Sequence, residues 1–154
     1  MKVVKKKSAD IRDKREDALH AAFVKILLRS PLKDVKFSKG NKRISMTFFG
    51  EKISYRIIVK RVKGIGNWSR KREEIYIDKQ ITTRNRLPHT ASFKALCVHE
   101  TVEKFLVEKY GLDVDNEAHV VAVKKEKQYL KKMGGDWKSH QMLVYRKWTK
   151  LGKQ

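Results

Sequence analysis

His99 and Glu103 stand four residues apart in the run FKALCVHETVEKFLVEKY, residues 93–110, and Glu100 follows His99 directly. An imidazole and carboxylates at this spacing suit a divalent cation and acid–base chemistry beside it. The run reads as a helix closed by Gly111. On a helix, positions four apart lie one turn from each other, so His99 and Glu103 converge on a single point. Glu100 points about 100° away around the axis, at the rim of that point. The same stepping groups Ala95, Leu96, Val102, Leu106, Val107 and Tyr110 on one apolar side, with His99 and Glu103 in its middle. It predicts that Cys97, Thr101, Lys104 and Glu108 face water. Burying an unpaired polar group costs about 1–3 kcal/mol, and more if it is charged. A shared cation would satisfy both groups; a metal-free buried His/Glu network is the alternative.

A second helix must bring further donors to the same place. After Gly111 the chain reads LDVDNEAHVVAVKKEKQYLKKMGG. Asp113 or Asp115 caps a new helix, and Gly134-Gly135 ends it. His119, Ala122, Val123, Glu126, Leu130 and Met133 share one face, while Val121, Lys124 and Lys125 lie away from it. The short connection makes the two helices neighbours. Each therefore carries a His/Glu pair on its core face.

The remaining elements frame this helix pair. An amphipathic helix is expected from about Asp10 to Arg29, with Ile11, Ala18, Leu19, Ala22, Phe23, Ile26 and Leu27 inward and Pro31 as its stop. His20 lies on its border as an ordinary, partly exposed histidine. Residues 43–49 and 52–62 alternate as strands around Gly50-Glu51, which suits a type II′ hairpin. Gly64, Gly66 and Asn67 read as a loop leading to the basic segment WSRKR, where Trp68, Arg70 and Lys71 are either a solvated turn or a nucleic-acid contact. EEIYI, 73–77, is a short strand. A loop through Asn85, Pro88 and His89 leads back to the principal helix, and His89 is a loop histidine close to the site. From about residue 136, DWKSHQMLVYRKWTKLGKQ interleaves aromatic and basic residues. Trp137, Lys138, Arg146, Lys147 and Trp148 suit base stacking and phosphate contact, or else the segment docks on the core as a terminal element. His140 is a possible extra ligand.

Composition bounds what such a chain does. At 154 residues, 40% hydrophobic and 36% charged, it is one globular domain, 10–154, behind a basic, mobile arm at residues 1–9. No apolar run suggests a membrane span or a secretory signal, so no membrane partner is expected. The single Cys97 excludes an intramolecular disulfide and fits a reducing cytoplasm. The net charge of +21, from 38 basic against 17 acidic residues, predicts attraction to polyanions, nucleic acid first. A thermophile's lysine-rich surface is the competing account, although such surfaces usually pair Lys with Glu. The sequence carries no internal repeat, Gly-rich phosphate loop or CxxC pair.

The order helix, hairpin, short strand IYID, helix with HETVE, then a helix with EAHVVAVKKE resembles a small zincin, the metallopeptidase-like fold, over residues 10–133. It is especially similar to minimal zincin-like proteins of phages and archaeal mobile elements, in which an HExxE helix precedes an AHxxA helix; EAHVVA at 117–122 matches the second pattern. The resemblance implies an α+β fold with a small, mostly antiparallel sheet. It also implies that IYID at 75–78 lies at the sheet edge and aligns extended substrate. Its ligand set is His99, Glu103 and His119 around zinc or another divalent metal, with a fourth position open to water. Gluzincins resemble this chain with His at the fifth motif position and Glu on the next helix, so Glu103 and His119 exchange those roles here. Glu126 would orient His119 or replace Glu103 as a ligand.

Two functions follow as expectations. The first is a metal-dependent hydrolase of peptides or proteins in which Glu100 takes a proton from water. The second is a non-catalytic basic protein of a mobile element that binds nucleic acid on a zincin scaffold, with affinity falling steeply with salt.

Overall fold

The computed structural model describes residues 13–81 and 87–152, with backbone only for 87–89 and 145–152. The basic arm, the first residues of the expected N-terminal helix and residues 82–86 lie outside the described residues; Pro88 and His89, expected in the loop with Asn85, belong instead to the principal helix, which begins at Leu87. What is described is an α+β arrangement of four helices and one five-stranded mixed sheet in the order β1-β2-β3-β5-β4.

Helix α1, Lys14–Arg29, starts where the Asp13 side chain accepts the Glu16 N–H at 2.8 Å, with Glu16 and Asp17 in its first turn. It stops at Ser30, before Pro31, as the sequence predicts. Strand β1, Leu32–Phe37, was not expected. Its alternation is broken by a bulge between Lys33 and Lys36, with Asp34 at φ +53°. Strands β2, Arg43–Phe48, and β3, Glu51–Lys60, form the expected hairpin. Its turn falls one residue early, on Phe49 and Gly50 at φ +51° and +77°, which makes it type I′ rather than II′. Phe49 accepts a left-handed backbone because its ring packs edge-on against Phe23 and Tyr110, with centroids 5.5 and 6.2 Å away.

Strand β5, Glu74–Asp78, pairs parallel with β3. Strand β4, Gly66–Trp68, expected to be loop, adds antiparallel to the far side of β5. Among the described residues β1 and β4 are therefore the two edges, and the expectation that IYID lies at an edge is corrected. The connection from β3 carries the chain past the position of β5 before it turns back, a detour that no alternation pattern records.

One face of the sheet presents Ile44, Met46, Phe48, Ile53, Tyr55, Ile57, Ile75 and Ile77 to helix α2, Leu87–Tyr110. The expectation that Cys97, Thr101 and Lys104 face water is wrong. All three are buried, at 0%, 0% and 1% exposure. Sheet and helices sandwich α2, leaving little of it for solvent, and periodicity marks a core face only on a helix with one wet side. The Lys104 ammonium reaches the Ser69 carbonyl at 2.5 Å and Glu108 at 2.7 Å, over the rings of Tyr55 and Trp68.

Asp113 caps a single π-helical turn, Val114–Ala118, which runs into helix α3, His119–Lys132. Val121 and Lys125, expected to point away from the core, are buried. The Lys125 ammonium donates to the carbonyls of Leu28 and Ser30 at the end of α1 and lies over Phe48. Lys124 is exposed, as expected. Helix α4, Trp137–Gly152, is the docked form of the terminal segment.

Candidate metal centre

Helices α2 and α3 bring the expected groups together. His99 Nε2 lies 3.3 Å from Glu103 Oε2, and His119 Nδ1 lies 3.0 Å from the same oxygen. The three ligand atoms fall within 4.8 Å of one another. Donors held about 2.0–2.2 Å from a tetrahedral ion are separated by about 3.3–3.6 Å, so the cluster is close to the spacing that a small divalent cation demands. The imidazole rings meet edge to face, with centroids 4.8 Å apart. His99 and Glu103 are buried, whereas the His119 side chain is 50% exposed and stands at the mouth.

The site opens into a cleft of about 730 Å³ lined in part by Gly66, Glu100, His119 and His140. Glu100 is buried too, with Oε2 4.0 Å from His99 Nε2. It fits against the backbone of β4. A Cβ built on Gly66 would lie 2.7 Å from Glu100 Oε2, so glycine is what lets strand and carboxylate coexist.

Glu126 plays neither role expected of it. Its Oε1 accepts from His99 Nδ1 at 2.7 Å, so it orients His99 rather than His119. With Nδ1 committed to Glu126, the Nε2 side of the ring is turned toward Glu103 and the cluster. Glu126 Oε2 accepts from His140 Nε2 at 2.5 Å, and His140 Nδ1 pairs with Ser92 Oγ at 2.8 Å. This buried chain joins α3, α4 and α2. His140 was only a possible ligand by sequence and Ser92 was not singled out. They lie 14 and 34 residues from Glu126, on other helices, beyond any spacing rule.

Six ionisable groups share this space, His99, Glu100, Glu103, His119, Glu126 and His140, and their charges are mutually adjusted. Burial works against the Glu103 carboxylate, but hydrogen bonds from His119, His99 and the Trp68 indole N–H hold its pKa near 2. Burial also opposes ionised Glu126, and His140 and His99 outweigh it. Burial disfavours the His99 imidazolium, yet Glu103, Glu126 and Glu100 push its pKa well up. Glu100 differs. Burial dominates there, His99 offsets only part of it, and repulsion from Glu103 and Glu126 adds to it, leaving a pKa of about 8. Glu103 and Glu126 are the carboxylates held ionised, and Glu103 is the one within reach of a cation shared with His99 and His119.

Comparison with protein-family models, with curated proteins and with solved structures finds no match.

The surface residues expected to meet nucleic acid divide. Trp68 is buried, its indole committed to Glu103 at 3.0 Å, so it offers no stacking face and is corrected to a support of the Glu103 carboxylate. Arg70, Lys71 and Lys138 are exposed. Trp137 is half-buried, tilted against His140 with centroids 5.4 Å apart. The side chains of His89, Arg146, Lys147 and Trp148 lie outside the described residues. His20 pairs with Glu117 at 3.2 Å, remote from the site by its contacts. No described helix is long and apolar enough to cross a membrane.

Proposed function

We propose that the protein is a divalent-metal-dependent hydrolase of the zincin-like kind, acting on peptides, with His99, Glu103 and His119 as ligands and Glu100 as general base. The observation that carries this reading is the convergence of two imidazoles and a carboxylate within 4.8 Å, beside a buried, unligated carboxyl. Two nitrogens and one oxygen form the donor set that zinc favours at catalytic sites.

Bound there, such an ion would polarise a substrate carbonyl and make a water molecule acidic near pH 7. The chain's own residues supply the rest. Glu100, buried with Oε2 4.0 Å from His99 Nε2, is placed to accept a proton from water and return it to a leaving amine. The wall beside it is the edge strand β4, whose outer backbone groups can pair with an extended peptide. Aligning substrate, assigned by resemblance to IYID, passes to Gly66–Trp68. Glu126 keeps the His99 ring in one orientation throughout.

Glu100→Gln tests the chemistry. It should keep metal and fold while lowering hydrolysis of a mixed peptide library by about 100-fold or more. Turnover at the wild-type rate in that variant would overturn the proposal. Elemental analysis of the wild type against His99→Ala tests the site itself, with one metal per chain expected to be lost.

A further inference from the structure

The metal centre uses one face of the sheet; the other is differently built. Along β2 and β3 the residues that point away from α2 are Arg43, Ser45 and Thr47, paired across the ladder with Arg56, Ser54 and Lys52. Strand β1 adds Lys33 opposite Thr47 and Lys36 opposite Ser45. Lys60 extends β3, with its ammonium 4.1 Å from the centre of the Tyr76 ring on β5. All six basic side chains are exposed, and no described helix covers this face.

The charge is weakly compensated. Among the described residues only Arg56 of these six has a carboxylate partner, Glu74 at 3.3 Å. Arg43 and Arg56 are direct cross-strand partners, an arrangement of like charges that weakens a sheet. Arg43 donates to Ser54 Oγ at 3.0 Å, which aims it across the face. Small hydroxyl residues, Ser45, Thr47 and Ser54, occupy the middle, leaving a floor shallow enough for a polymer backbone to approach. Lys52 and Lys60 are eight residues apart along one strand, about 26 Å by strand rise. That length corresponds to seven or eight base steps along a duplex axis at about 3.4 Å each.

We propose that this open sheet face binds nucleic acid through its phosphate backbone. Lys, Arg, Ser and Thr are the side chains that contact phosphate oxygens. A membrane surface would need apolar side chains to insert, and between the lysines the face offers little beyond Ile58 and Tyr76. The contact lies opposite the cleft, so a bound strand leaves the metal centre open. The proposal does not depend on the hydrolase reading.

The test compares two variants of equal charge. Lys33, Lys36, Lys52 and Lys60 are changed to Gln in one, and Lys25, Lys124, Lys131 and Lys132 on α1 and α3 in the other; each falls from +21 to +17. Fluorescence anisotropy follows labelled single-stranded DNA, duplex DNA and RNA of about 20 nucleotides between about 50 and 200 mM salt. The wild type should bind at least one of the three. The sheet variant should lose about 100-fold in affinity and three to four in the slope of log affinity on log salt, against less than about threefold in affinity for the helix variant. No binding by the wild type, equal losses in both variants, or tighter binding to phosphatidylserine vesicles or polyglutamate would overturn the proposal. Lysine acetylation of the wild-type protein gives the same answer without a variant. Bound oligonucleotide should shield Lys33, Lys36, Lys52 and Lys60, and shielding of the helix lysines instead would overturn it.

Discussion

The Glu126 carboxylate is held between two imidazoles, with Oε1 2.7 Å from His99 Nδ1 and Oε2 2.5 Å from His140 Nε2. Partners of this kind set ring orientation and ligand basicity, and their loss typically costs 10–100-fold in metal affinity. Glu126→Gln should therefore weaken metal binding by about that factor while leaving one metal per chain at saturation. His140→Phe, one bond further out, should lose less. Chelator competition measures both, and unchanged affinity in Glu126→Gln would remove Glu126 from the site.

Gly66 should separate chemistry from metal binding. A Cβ there would lie 2.7 Å from Glu100 Oε2 and 3.0 Å from its Cδ, so Gly66→Ala must push the Glu100 side chain or shift β4. Displacement by an ångström costs catalysis about 100-fold. The expected result is peptide hydrolysis reduced by that order with metal content unchanged. Metal lost in step with activity would show that the substitution disturbs more than Glu100.

Removing the metal should lower thermal stability. An ion bound only by the folded chain at about a hundredfold over its dissociation constant stabilises by about 2.7 kcal/mol. For a chain of this size that corresponds to roughly 5–11 °C in Tm. Chelation should produce the shift, His99→Ala should abolish the response to chelator, and scanning calorimetry reads both.

Lys125 gives a pH dependence away from the metal centre. Burial, then Lys124, depress its pKa from the ordinary lysine value to about 8. Between about 8 and 10.5 the unfolded chain keeps a proton at this position that the folded chain has released. The unfolded state binds more protons there, so this group makes stability rise with pH across that window and contributes no slope below it. Denaturant midpoints of Lys125→Met, taken relative to wild type from pH 7 to 10.5, should show the variant losing that rise. Parallel curves would place the ammonium in a wetter setting than the Leu28 and Ser30 carbonyls provide.

Cys97 should be inert in the native protein. It is fully buried, and burial, then Glu100, raise its pKa well above the thiol range while Lys94 opposes them. A thiol reagent at pH 8 should label it only after denaturant unfolds the chain, and rapid native labelling would contradict that burial.

How far the sequence foretold this arrangement depended on distance along the chain. The His99/Glu103 pair is a statement about one helical turn, and neighbouring helices with a short connection bring His119 and Glu126 to it; such relations are local and were legible. The hairpin of β2 and β3 was legible for the same reason, and its turn was misplaced by one residue because the packing of Phe49 on Phe23 and Tyr110 is not local. Helix α2 was recognised, yet Cys97, Thr101 and Lys104 were assigned to water because a residue pattern cannot count how many neighbours will cover a helix. Strand β4, three residues with a glycine, carries too little alternation to register, and the edge position of IYID rests on the resemblance alone. His140 and Ser92 close the chain of hydrogen bonds from two different helices, which only tertiary structure brings within reach.

The tether through His140 also fixes an order of events during synthesis. His99, Glu103 and His119 all leave the ribosome ahead of α4, so a nascent chain owns every ligand before it owns the support that holds Glu126 in place. Until residue 140 has emerged and docked, the Glu126 carboxylate is held by His99 alone of the two imidazoles. If the cluster takes up a metal as proposed, uptake by the growing polypeptide should be weaker than by the finished one until α4 docks.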